Sequence, residues 1–459
     1  MDRYPWTCLE QRLSQAVVLE DTAGWERVRA ELPLYADRDG LLRYYAVPWL
    51  AGSDTLTAYV LSLTHEAGWE IPQPARQLLI EGLQGVAQGR ILRGNPLDRD
   101  DRVERQLAAL ESLSRFGAAR AEWIDALDFQ PALLPTSALL DWIGVLQRVD
   151  GIARRAARRA EALQILRARI DFQGTVMSFS TETDDAWWWL MASADRNAVT
   201  GVLRVLEEPQ WQADLPRLWR GAWMRQKRGH WDTTPANAWG VLAARRFARK
   251  FEKTAVVGEA VATLGDAAQR HDWQQPAGTL EFDWPAGTAQ LELRQAGGGA
   301  PWAIVQSRAA IPLRAPLSSG YRIEKTMTPL EASGDGYARG DLWRVRLEID
   351  AQSDMTWVAV EDPIPPGAMV LGSGLGGDSA LLARGERREG RAWPAYEERR
   401  QDSFRAYYEF VPKGRFTLEY TLRLNTPGRF ELPATRVEAM YAPEMFGERP
   451  NPPIEVRMP

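Results

Sequence analysis

The sequence predicts a multidomain protein of the α plus β class, with helices in its first part and strands in its second. Up to about residue 253, apolar residues recur every three or four positions, as in Leu13, Val17 and Val18. Beyond residue 254, apolar and polar residues alternate, as in a strand with one buried face. The chain has 459 residues, which is too many for one typical domain.

The composition limits the class of protein. Apolar residues make up 45% and charged residues 25%, which is ordinary for a soluble globular protein. The formal net charge of -5 gives no reason to expect binding to nucleic acid. No apolar run is long enough for a transmembrane helix, and residues 1–5 lack the features of a signal peptide, so we expect no export signal in this chain. A single cysteine excludes an intrachain disulfide.

The first part of the chain reads as a series of short helices separated by Gly and Pro. They have similar lengths and similar Ala, Leu and Trp faces, which favours paired helices stacked in a ring or solenoid. A closed α/α ring buries each helix on two sides, which explains Trp on more than one face. The clearest predicted helices are 53–66, 102–116, 137–166, 184–192, 197–207 and 234–251.

Strands are predicted in two groups. The first group comprises 279–284, 289–294 and two or three more strands up to about residue 313, too few to close a sandwich. The second group begins near residue 318 and fits an antiparallel β-sandwich. Its clearest strands are 343–349, 357–361, 404–410, 416–424 and 437–441, and residues 373–400 read as a long exposed loop.

Two clusters have both a structural and a functional interpretation. Arg154, Arg155, Arg158 and Arg159 could bind an anion, but their spacing is that of one solvated helix stripe, which we favour. The run 187–189 of three tryptophans could stack on a sugar or a base. Consecutive helix positions point in different directions, so packing against several neighbours is favoured.

Cys8 and Gln11 are the residues with the most distinctive chemistry. Side chains three positions apart share one face of a helix, so the thiol and the carboxamide can meet. If the carboxamide loses ammonia to the thiol, an internal thioester forms. An amine or hydroxyl that attacks it is acylated by Gln11, and Cys8 leaves as a thiol. The alternative is that Cys8 is a small buried apolar residue.

The residues around this pair predict its local geometry. Thr7 and Glu10 fit a capping box, with Thr7 as N-cap and Glu10 at the third helical position. Cys8 would be the first helical residue, where the helix N-terminus lowers the pKa of a thiol. Glu10 is therefore predicted to be a cap rather than a base.

The string YPWTCLEQ at residues 4–11 resembles the thioester motif of the alpha-2-macroglobulin and complement family. HWDTTPANAW at 230–239 resembles the segment that closes the thioester domain in the bacterial branch. Residues 360–367 and 437–447 resemble elements of the last macroglobulin domain. These motifs stand in the family order and extend over essentially the whole chain.

The resemblance implies a domain order. Residues 1–253 would be the thioester domain, an α/α toroid; 254–317 the second half of a CUB-like β-domain; and 318–459 a C-terminal macroglobulin or receptor-binding-like β-sandwich. The family's upstream macroglobulin domains and bait region have no counterpart in this sequence, so we expect the chain to correspond to the C-terminal third of such a protein.

The resemblance also implies a function, that of a broad-spectrum endopeptidase inhibitor in bacterial defence. It would trap proteinases covalently when their lysines attack the Cys8–Gln11 thioester, without turnover, metal or cofactor. Expected partners are target proteinases and the N-terminal macroglobulin domains, and the expected location is the periplasm or the membrane surface facing it. Tyr4 and Trp6, which precede the motif, and Met440 and Tyr441, which the family implicates, would shield the thioester from water.

The positions of the three histidines indicate which nucleophile would attack the thioester. His65, His230 and His271 do not lie about a hundred residues after the motif, where complement-type proteins place a histidine, so direct transfer to amines is expected. Three scattered histidines and one cysteine also lack metal-ligand spacing.

A Trp-rich α/α ring would equally suit a carbohydrate-active enzyme, which needs two carboxylates. An adhesion or scaffold module with an inert Cys8 is the third possibility.

Overall fold

A computed structural model of the chain describes residues 6–95, 97, 99–179, 187–275, 278–309, 311–332, 334, 336–372 and 385–458. The chain divides into two compact units, one of Met1–Leu242 with Ala310–Pro459 and one of Ala243–Ala309. Helices and antiparallel sheets are both present, which confirms the mixed helix and sheet class. The finer division into three domains remains a prediction.

The α-helices lie in the first part of the chain. They are α1 (Leu9–Leu19), α2 (Thr22–Tyr35), α3 (Asp54–Ala67), α4 (Gln73–Ala87), α5 (Arg102–Ser114), α6 (Ala121–Asp125), α7 (Thr136–Arg148), α8 (Arg155–Ala168), α9 (Ala194–Val205), α10 (Leu215–Met224) and α11 (Thr234–Phe251). Among the residues described, no helix is both long and apolar enough to cross a membrane.

The predicted helix boundaries hold for α3, α5 and α11, but two predictions are wrong. The predicted helix 137–166 is two helices, because Gly151 (φ 81°) and Arg154 (φ 52°) adopt left-handed conformations that interrupt it. The described part of 184–192 is a 3₁₀ turn, Trp188–Leu190, followed by a loop. Residues 180–186 lie outside the described part. The sequence also missed α10 and a hairpin of β1 (Ile170–Gln173) and β2 (Val176–Phe179).

The arginines of α8 and the tryptophans at 187–189 make structural contacts. In α8, Arg158 pairs with Asp125 at 2.6 Å, Arg159 pairs with Glu208 at 2.6 Å, and Arg155 pairs with Asp150. Trp189 is buried and its Nε1 donates to Asp101, whereas Trp188 packs against the core of the C-terminal sheets. Both observations support the structural interpretation.

A buried ion cluster ties four helices together around Glu111 of α5. Arg115 contacts its carboxylate at 2.9 Å, Arg148 of α7 at 3.0 Å and Arg204 of α9 at 2.6 Å, and Ser62 of α3 donates to it. Burial alone would raise the pKa of Glu111, but the three guanidinium groups hold that pKa well below its usual value. The cluster therefore keeps one buried carboxylate ionised among three cations.

The unit of Ala243–Ala309 contains one antiparallel sheet in the order β4-β3-β5, formed by β3 (Glu259–Leu264), β4 (Ala267–Asp272) and β5 (Leu291–Ala296). The predicted strand 289–294 corresponds to β5. Residues 279–284 do not form the predicted strand. An alternating segment forms a strand only where a neighbouring strand pairs with it, and alternation alone does not supply that neighbour. Residues 297–309 and 311–316 form no further strand, whereas β3 and β4, joined at Gly265, were missed.

The described residues of the last part of the chain form two principal antiparallel sheets. One has the strand order β13-β14-β10-β17-β18-β6, and the other has the order β11-β15-β9-β7 with β12 beside β15. A small third sheet has the order β16-β19-β8. The strands are β6 (Leu317–Ser319), β7 (Tyr321–Glu331), β8 (Tyr337–Ala338), β9 (Leu342–Ala351), β10 (Met355–Pro363), β11 (Met369–Val370), β12 (Arg388–Glu389), β13 (Tyr396–Arg399), β14 (Ser403–Val411), β15 (Gly414–Arg423), β16 (Gly428–Phe430), β17 (Thr435–Ala439), β18 (Ala442–Arg449) and β19 (Ile454–Arg457).

The two principal sheets share one apolar core, as a β-sandwich requires. Alternate residues of β9, such as Val345 and Leu347, are buried together with Val358 and Val360 of β10. Two details of the prediction are wrong. Strands β12 and β13 lie within the predicted loop 373–400, of which 373–384 is outside the described part, and the predicted last strand ends at Ala439, with β18 and β19 following. Charged and Pro residues hide the alternation in these strands.

Replacing Gly221 of α10 by Ala is expected to destabilise the helical part by about 1–3 kcal/mol, as for overpacking. A Cβ at this position would overlap the carbonyl oxygen of Met177 in β2. The matched control is Gly94→Ala, because a Cβ at Gly94 meets nothing within 4 Å. Thermal unfolding followed by circular dichroism measures both, and equal midpoints for the two variants would contradict the close packing of α10 on β2.

Candidate functional site

The cysteine and the glutamine singled out by the sequence lie together at the start of α1. Cys8 is the N-cap and Gln11 the third helical residue. The Cys8 N–H donates to Gln11 Oε1 at 3.3 Å, and the Cys8 sulfur accepts from the backbone N–H of Gln11. The capping box is therefore formed by Cys8 and Gln11, and the predicted Thr7–Glu10 box is wrong. The register differs by one residue because helix α1 begins at Leu9.

The site is completely enclosed. Cys8 is 0% and Gln11 1% exposed, and the backbone N–H of Leu9 donates to the Tyr44 carbonyl at 2.9 Å. Burial and the nearby Glu10 raise the pKa of the Cys8 thiol well above its usual value. The predicted lowering of this pKa by the helix N-terminus is therefore wrong for the closed protein, because desolvation outweighs the helix dipole.

Glu10 is a buried carboxylate that accepts hydrogen bonds from three hydroxyl groups. Ser14 Oγ donates to its Oε1 at 2.6 Å, Thr234 Oγ1 lies 2.8 and 2.9 Å from its two oxygens, and Tyr441 Oη donates to its Oε2 at 3.0 Å. Ser14 Oγ is also 2.6 Å from Tyr59 Oη. The predicted capping role of Glu10 is wrong, because its side chain turns away from the backbone toward these hydroxyls.

Burial governs the protonation of Glu10. It raises the pKa of this carboxyl to about 7, although Ser14, Thr234 and Tyr441 oppose the shift by donating to the ionised form. Arg196 of α9 opposes it as well through its positive charge. Glu10 is thus a carboxyl group whose protonation changes near neutral pH.

The tip of the β17–β18 hairpin covers these residues. Met440 and Tyr441 form the two-residue connection between the strands, and the Met440 N–H donates to the Trp357 carbonyl of β10 at 2.9 Å. Gln11 Nε2 lies 2.9 Å from Met440 Sδ, while Tyr441 bonds Glu10. One hairpin tip therefore contacts two consecutive residues of α1.

Aromatic rings extend the contact between the start of the chain and the sandwich. Trp6 is buried and meets Tyr407 edge to face, with ring centroids 6.0 Å apart. The rings of Tyr44 and Trp357 pack with their centroids 3.9 Å apart and their planes tilted by 34°. Thr7, which is not a cap, donates to Glu398 Oε1 at 2.7 Å. Tyr4, the remaining predicted shield residue, lies outside the described part of the chain.

Three sequence motifs converge at Glu10. The first motif supplies Glu10 itself, the segment 230–239 supplies Thr234, and the segment 437–447 supplies Tyr441. Asn237 fixes the turn before α11 by donating to the carbonyls of Trp231 and Thr233. The prediction missed this convergence, and it missed Ser14, although its position four residues after Glu10 on a helix was a usable signal.

Lowering the pH is expected to raise the free energy of unfolding, because the folded protein binds a proton at Glu10 more tightly than the unfolded chain does. The pKa of Glu10 is about 7 in the folded protein rather than 4.5. The contribution is therefore complete below about pH 4.5 and is lost as the pH rises through 7, a change of about 3 kcal/mol. Urea unfolding across this range measures it, and Glu10→Gln should lack that component. Parallel curves for both proteins would contradict the assignment.

A cavity lies inside the helical part, beside Glu111 and Asp141. Its volume is about 50 Å³, and Tyr59, Arg196 and Arg204 contribute to its walls. Burial and the neighbouring Glu111 raise the pKa of Asp141 to about 6. A space of this size accommodates water molecules. This cavity therefore gives no support to the carbohydrate-active alternative.

Comparison with known families identifies the class of the last domain. Residues 320–444 match the bacterial alpha-2-macroglobulin MG10 domain. A curated protein described as an alpha-2-macroglobulin homolog, from Nostoc sp., is 28% identical over 111 residues. That match covers 24% of this chain and 6% of the Nostoc protein.

Solved structures extend the likeness to the whole fold. The chain superposes on native alpha-2-macroglobulin of Escherichia coli spanning domain MG7 to the C-terminus with a TM-score of 0.69, at 18% identity, covering 99% of this chain and 74% of that one. A structure of Salmonella alpha-2-macroglobulin reacted with methylamine gives a TM-score of 0.69 at 19% identity. This chain spans 30% of the Salmonella protein.

The domain match and the shared fold both agree with the resemblance found in the sequence. The chain contains a bacterial alpha-2-macroglobulin MG10 domain, and along its length it has the fold of the C-terminal part of bacterial alpha-2-macroglobulins.

Proposed function

We propose that this chain is the C-terminal part of a broad-spectrum endopeptidase inhibitor that captures proteinases covalently through a Cys8–Gln11 thioester. The observation that carries the proposal is the enclosure of both side chains at one helix N-terminus, beneath Met440 and Tyr441. A reactive acyl group needs such a site, because water would otherwise hydrolyse it.

The chemistry is a single acyl transfer. Gln11 loses ammonia as its carboxamide carbon bonds to the Cys8 sulfur. An ε-amino group of a proteinase lysine then attacks this carbon, the carbon–sulfur bond breaks, and an amide to Gln11 forms while Cys8 regains a proton. Each molecule reacts once, so the protein is an inhibitor rather than a turnover enzyme. Direct transfer to amines is part of the proposal.

Shielding is assigned to aromatic and thioether side chains. Trp6 is buried at the sandwich contact, Met440 contacts the Gln11 carboxamide, and Tyr441 bonds the adjacent Glu10. Tyr4 would extend the shield on the N-terminal side. Because Met440 and Tyr441 belong to the sandwich, a shift of the sandwich away from α1 would open the site.

The finer architecture belongs to the same proposal. Residues 1–253 form the thioester domain as an α/α toroid, 254–317 the second half of a CUB-like domain, and 318–459 the receptor-binding-like sandwich. N-terminal macroglobulin domains are the proposed partners of the chain besides target proteinases. The periplasm, or the membrane surface facing it, is the proposed location, in a role in bacterial defence.

Incubation with chymotrypsin tests the proposal. We expect a chain–proteinase adduct that resists boiling in detergent, and peptide mapping should place its cross-link between Gln11 and a lysine of the proteinase. Cys8→Ala should form no adduct, and chymotrypsin with acetylated lysines should form none with the unmodified chain. An adduct of equal yield with Cys8→Ala would contradict the proposal, as would a cross-link to another residue.

A further inference from the structure

The hairpin tip occupies the space that an attacking nucleophile must enter. Met440 Sδ lies 2.9 Å from the Gln11 carboxamide nitrogen, on the group that becomes the electrophile. The next residue, Tyr441, directs an O–H to Glu10 Oε2 at 3.0 Å. Consecutive tip residues thus contact the electrophilic side chain and a neighbouring carboxylate. A nucleophile that replaces the tip would enter the space beside Gln11, and the charge of Glu10 already acts on the adjoining Cys8 thiol.

We propose that Glu10 is the proton acceptor for the nucleophile that attacks Gln11, and that the Tyr441 hydroxyl occupies this acceptor in the closed protein. The inference rests on the proposed thioester function and assigns a role to a residue which that function leaves unused. Glu10 holds the proton only between attack and departure of the sulfur.

Hydrogen bonding singles out the atom concerned. Glu10 Oε1 accepts from Ser14 and Thr234, which belong to α1 and α11 and do not move with the tip. Oε2 accepts from Tyr441 and from the shared Thr234 hydroxyl. Departure of the tip therefore frees one lone-pair direction on Oε2, while the other contacts keep the carboxylate in place. A positioned base of this kind requires no rearrangement after opening.

The proton balance is complete within the site. The amine nitrogen bonds to the Gln11 acyl carbon and becomes positively charged, and Glu10 Oε2 takes one of its protons. The carbon–sulfur electron pair departs with Cys8 as a thiolate, and the proton held by Glu10 then passes to that sulfur. The products are an amide at Gln11, a thiol at Cys8 and an ionised Glu10. No further reactant is needed.

The surroundings of Glu10 favour a base that works near neutral pH. The groups that face it are the hydroxyls of Ser14, Thr234 and Tyr441, then Tyr59 of α3, Tyr44, the Cys8 thiol and the Arg196 cation. In the closed protein, burial raises the pKa of Glu10 to about 7, so at neutral pH part of the population already holds the ionised base when the tip departs. Arg196 is the cation that limits the increase.

The first test is Glu10→Gln in the full 459-residue chain. Methylamine consumption of the thioester is measured between pH 5.5 and 8.5, at amine concentrations where the rate is proportional to amine, and is expressed per unprotonated amine. We expect the variant to form the thioester but to react about 100-fold more slowly at pH 7.5, and to lose the rise in rate near pH 7. The matched control is Glu104→Gln, a half-buried carboxyl on α5 whose pKa is also raised by burial. It should match the unmodified chain.

Tyr441→Phe is the second test, because it keeps the ring of the tip and removes only the hydroxyl, which donates to Glu10 and also hydrogen-bonds Tyr44. That hydrogen bond lowers the pKa of Glu10, so its loss should shift the inflection of the rate profile to higher pH and raise the rate above it. If Tyr441 were a cover alone, the rate would change by the same factor at every pH.

The outcomes separate this inference from the proposed function. If the unmodified chain contains no thioester, both fail. If it contains the thioester and Glu10→Gln reacts at the unmodified rate with the same pH profile, only the role of Glu10 is overturned. If Glu10→Gln does not fold or form the thioester, Tyr441→Phe decides, and an unmoved inflection overturns the inference.

Discussion

Replacing Glu111 by Gln is expected to lower the free energy of unfolding of the helical part by about 3–5 kcal/mol, because it removes the buried anion that three guanidinium groups share. Glu111 is 3% exposed and pairs with Arg115, Arg148 and Arg204. Arg115 keeps a second carboxylate, Glu66, at 2.8 Å. For Arg204 the other carboxylate is Asp141, at 3.7 Å.

The variant should also change the pH dependence of stability. The pKa of Glu111 is held below its unfolded value, so its contribution is present above that value and is lost as the pH falls through the folded pKa. Removing it also lowers the pKa of Asp141, since Glu111 is one cause of that raised pKa. Asp141 then ionises more fully and offsets part of the loss.

Urea unfolding followed by circular dichroism measures the loss for Glu111→Gln, with Glu26→Gln as the matched control. Glu26 forms an ion pair with Arg29 in which Glu26 is exposed and Arg29 is partly exposed, so its loss should cost less than about 1 kcal/mol. A loss for Glu111→Gln as small as that of the control would show that the cluster is not a principal tie between the helices.

Replacing Trp357 by Ala is expected to cost about 3–5 kcal/mol, as for other buried tryptophans. Trp357 is 5% exposed, packs its ring against that of Tyr44, and accepts a hydrogen bond at its carbonyl from the N–H of Met440. It therefore connects the sandwich to the chain segment next to α1. We also expect the thioester of this variant to hydrolyse faster, because the strand position that binds the hairpin tip at Met440 loses its packing.

Thermal unfolding together with the rate of thiol appearance measures both effects, with Trp393→Ala as the matched control. Trp393 lies in the same part of the chain but is 65% exposed, so its loss should be nearly neutral. Trp357 also has φ 51°, which only Gly adopts without strain, so Trp357→Gly should be the less destabilised of the two Trp357 variants. Equal stability of Trp357→Ala and Trp393→Ala would contradict this account.

The fold was predictable where side-chain periodicity persists over a whole element. The predicted helix 234–251 matches α11, and the alternation at 343–349 locates β9. Prediction failed where strand pairing decides the structure, because the periodicity of one segment does not identify the strand with which it pairs. The alternating residues 279–284 form no strand, whereas β18, with its Pro443 and charged residues, does pair with β17. Pairing is a non-local property that one strand cannot encode.

The site was predictable as a pair of residues but not as an environment. Three-residue spacing placed Cys8 and Gln11 on one turn, and the resemblance supplied Met440 and Tyr441. The roles of Thr7 and Glu10 were wrong, because a capping box is identified by local spacing whereas Glu10 is held by Thr234 and Tyr441, more than two hundred residues away. Desolvation, which reverses the expected shift in the pKa of Cys8, likewise arises only from tertiary packing.

The central claim is most directly tested by the intact mass of the chain before and after treatment with methylamine. The account predicts a chain lighter than its sequence by one ammonia, with no reactive thiol even after denaturation under acidic conditions. Treatment should then add one methylamine, at Gln11, and release one thiol, at Cys8. A chain with the full sequence mass, a titratable Cys8 from the start and no adduct would contradict the account.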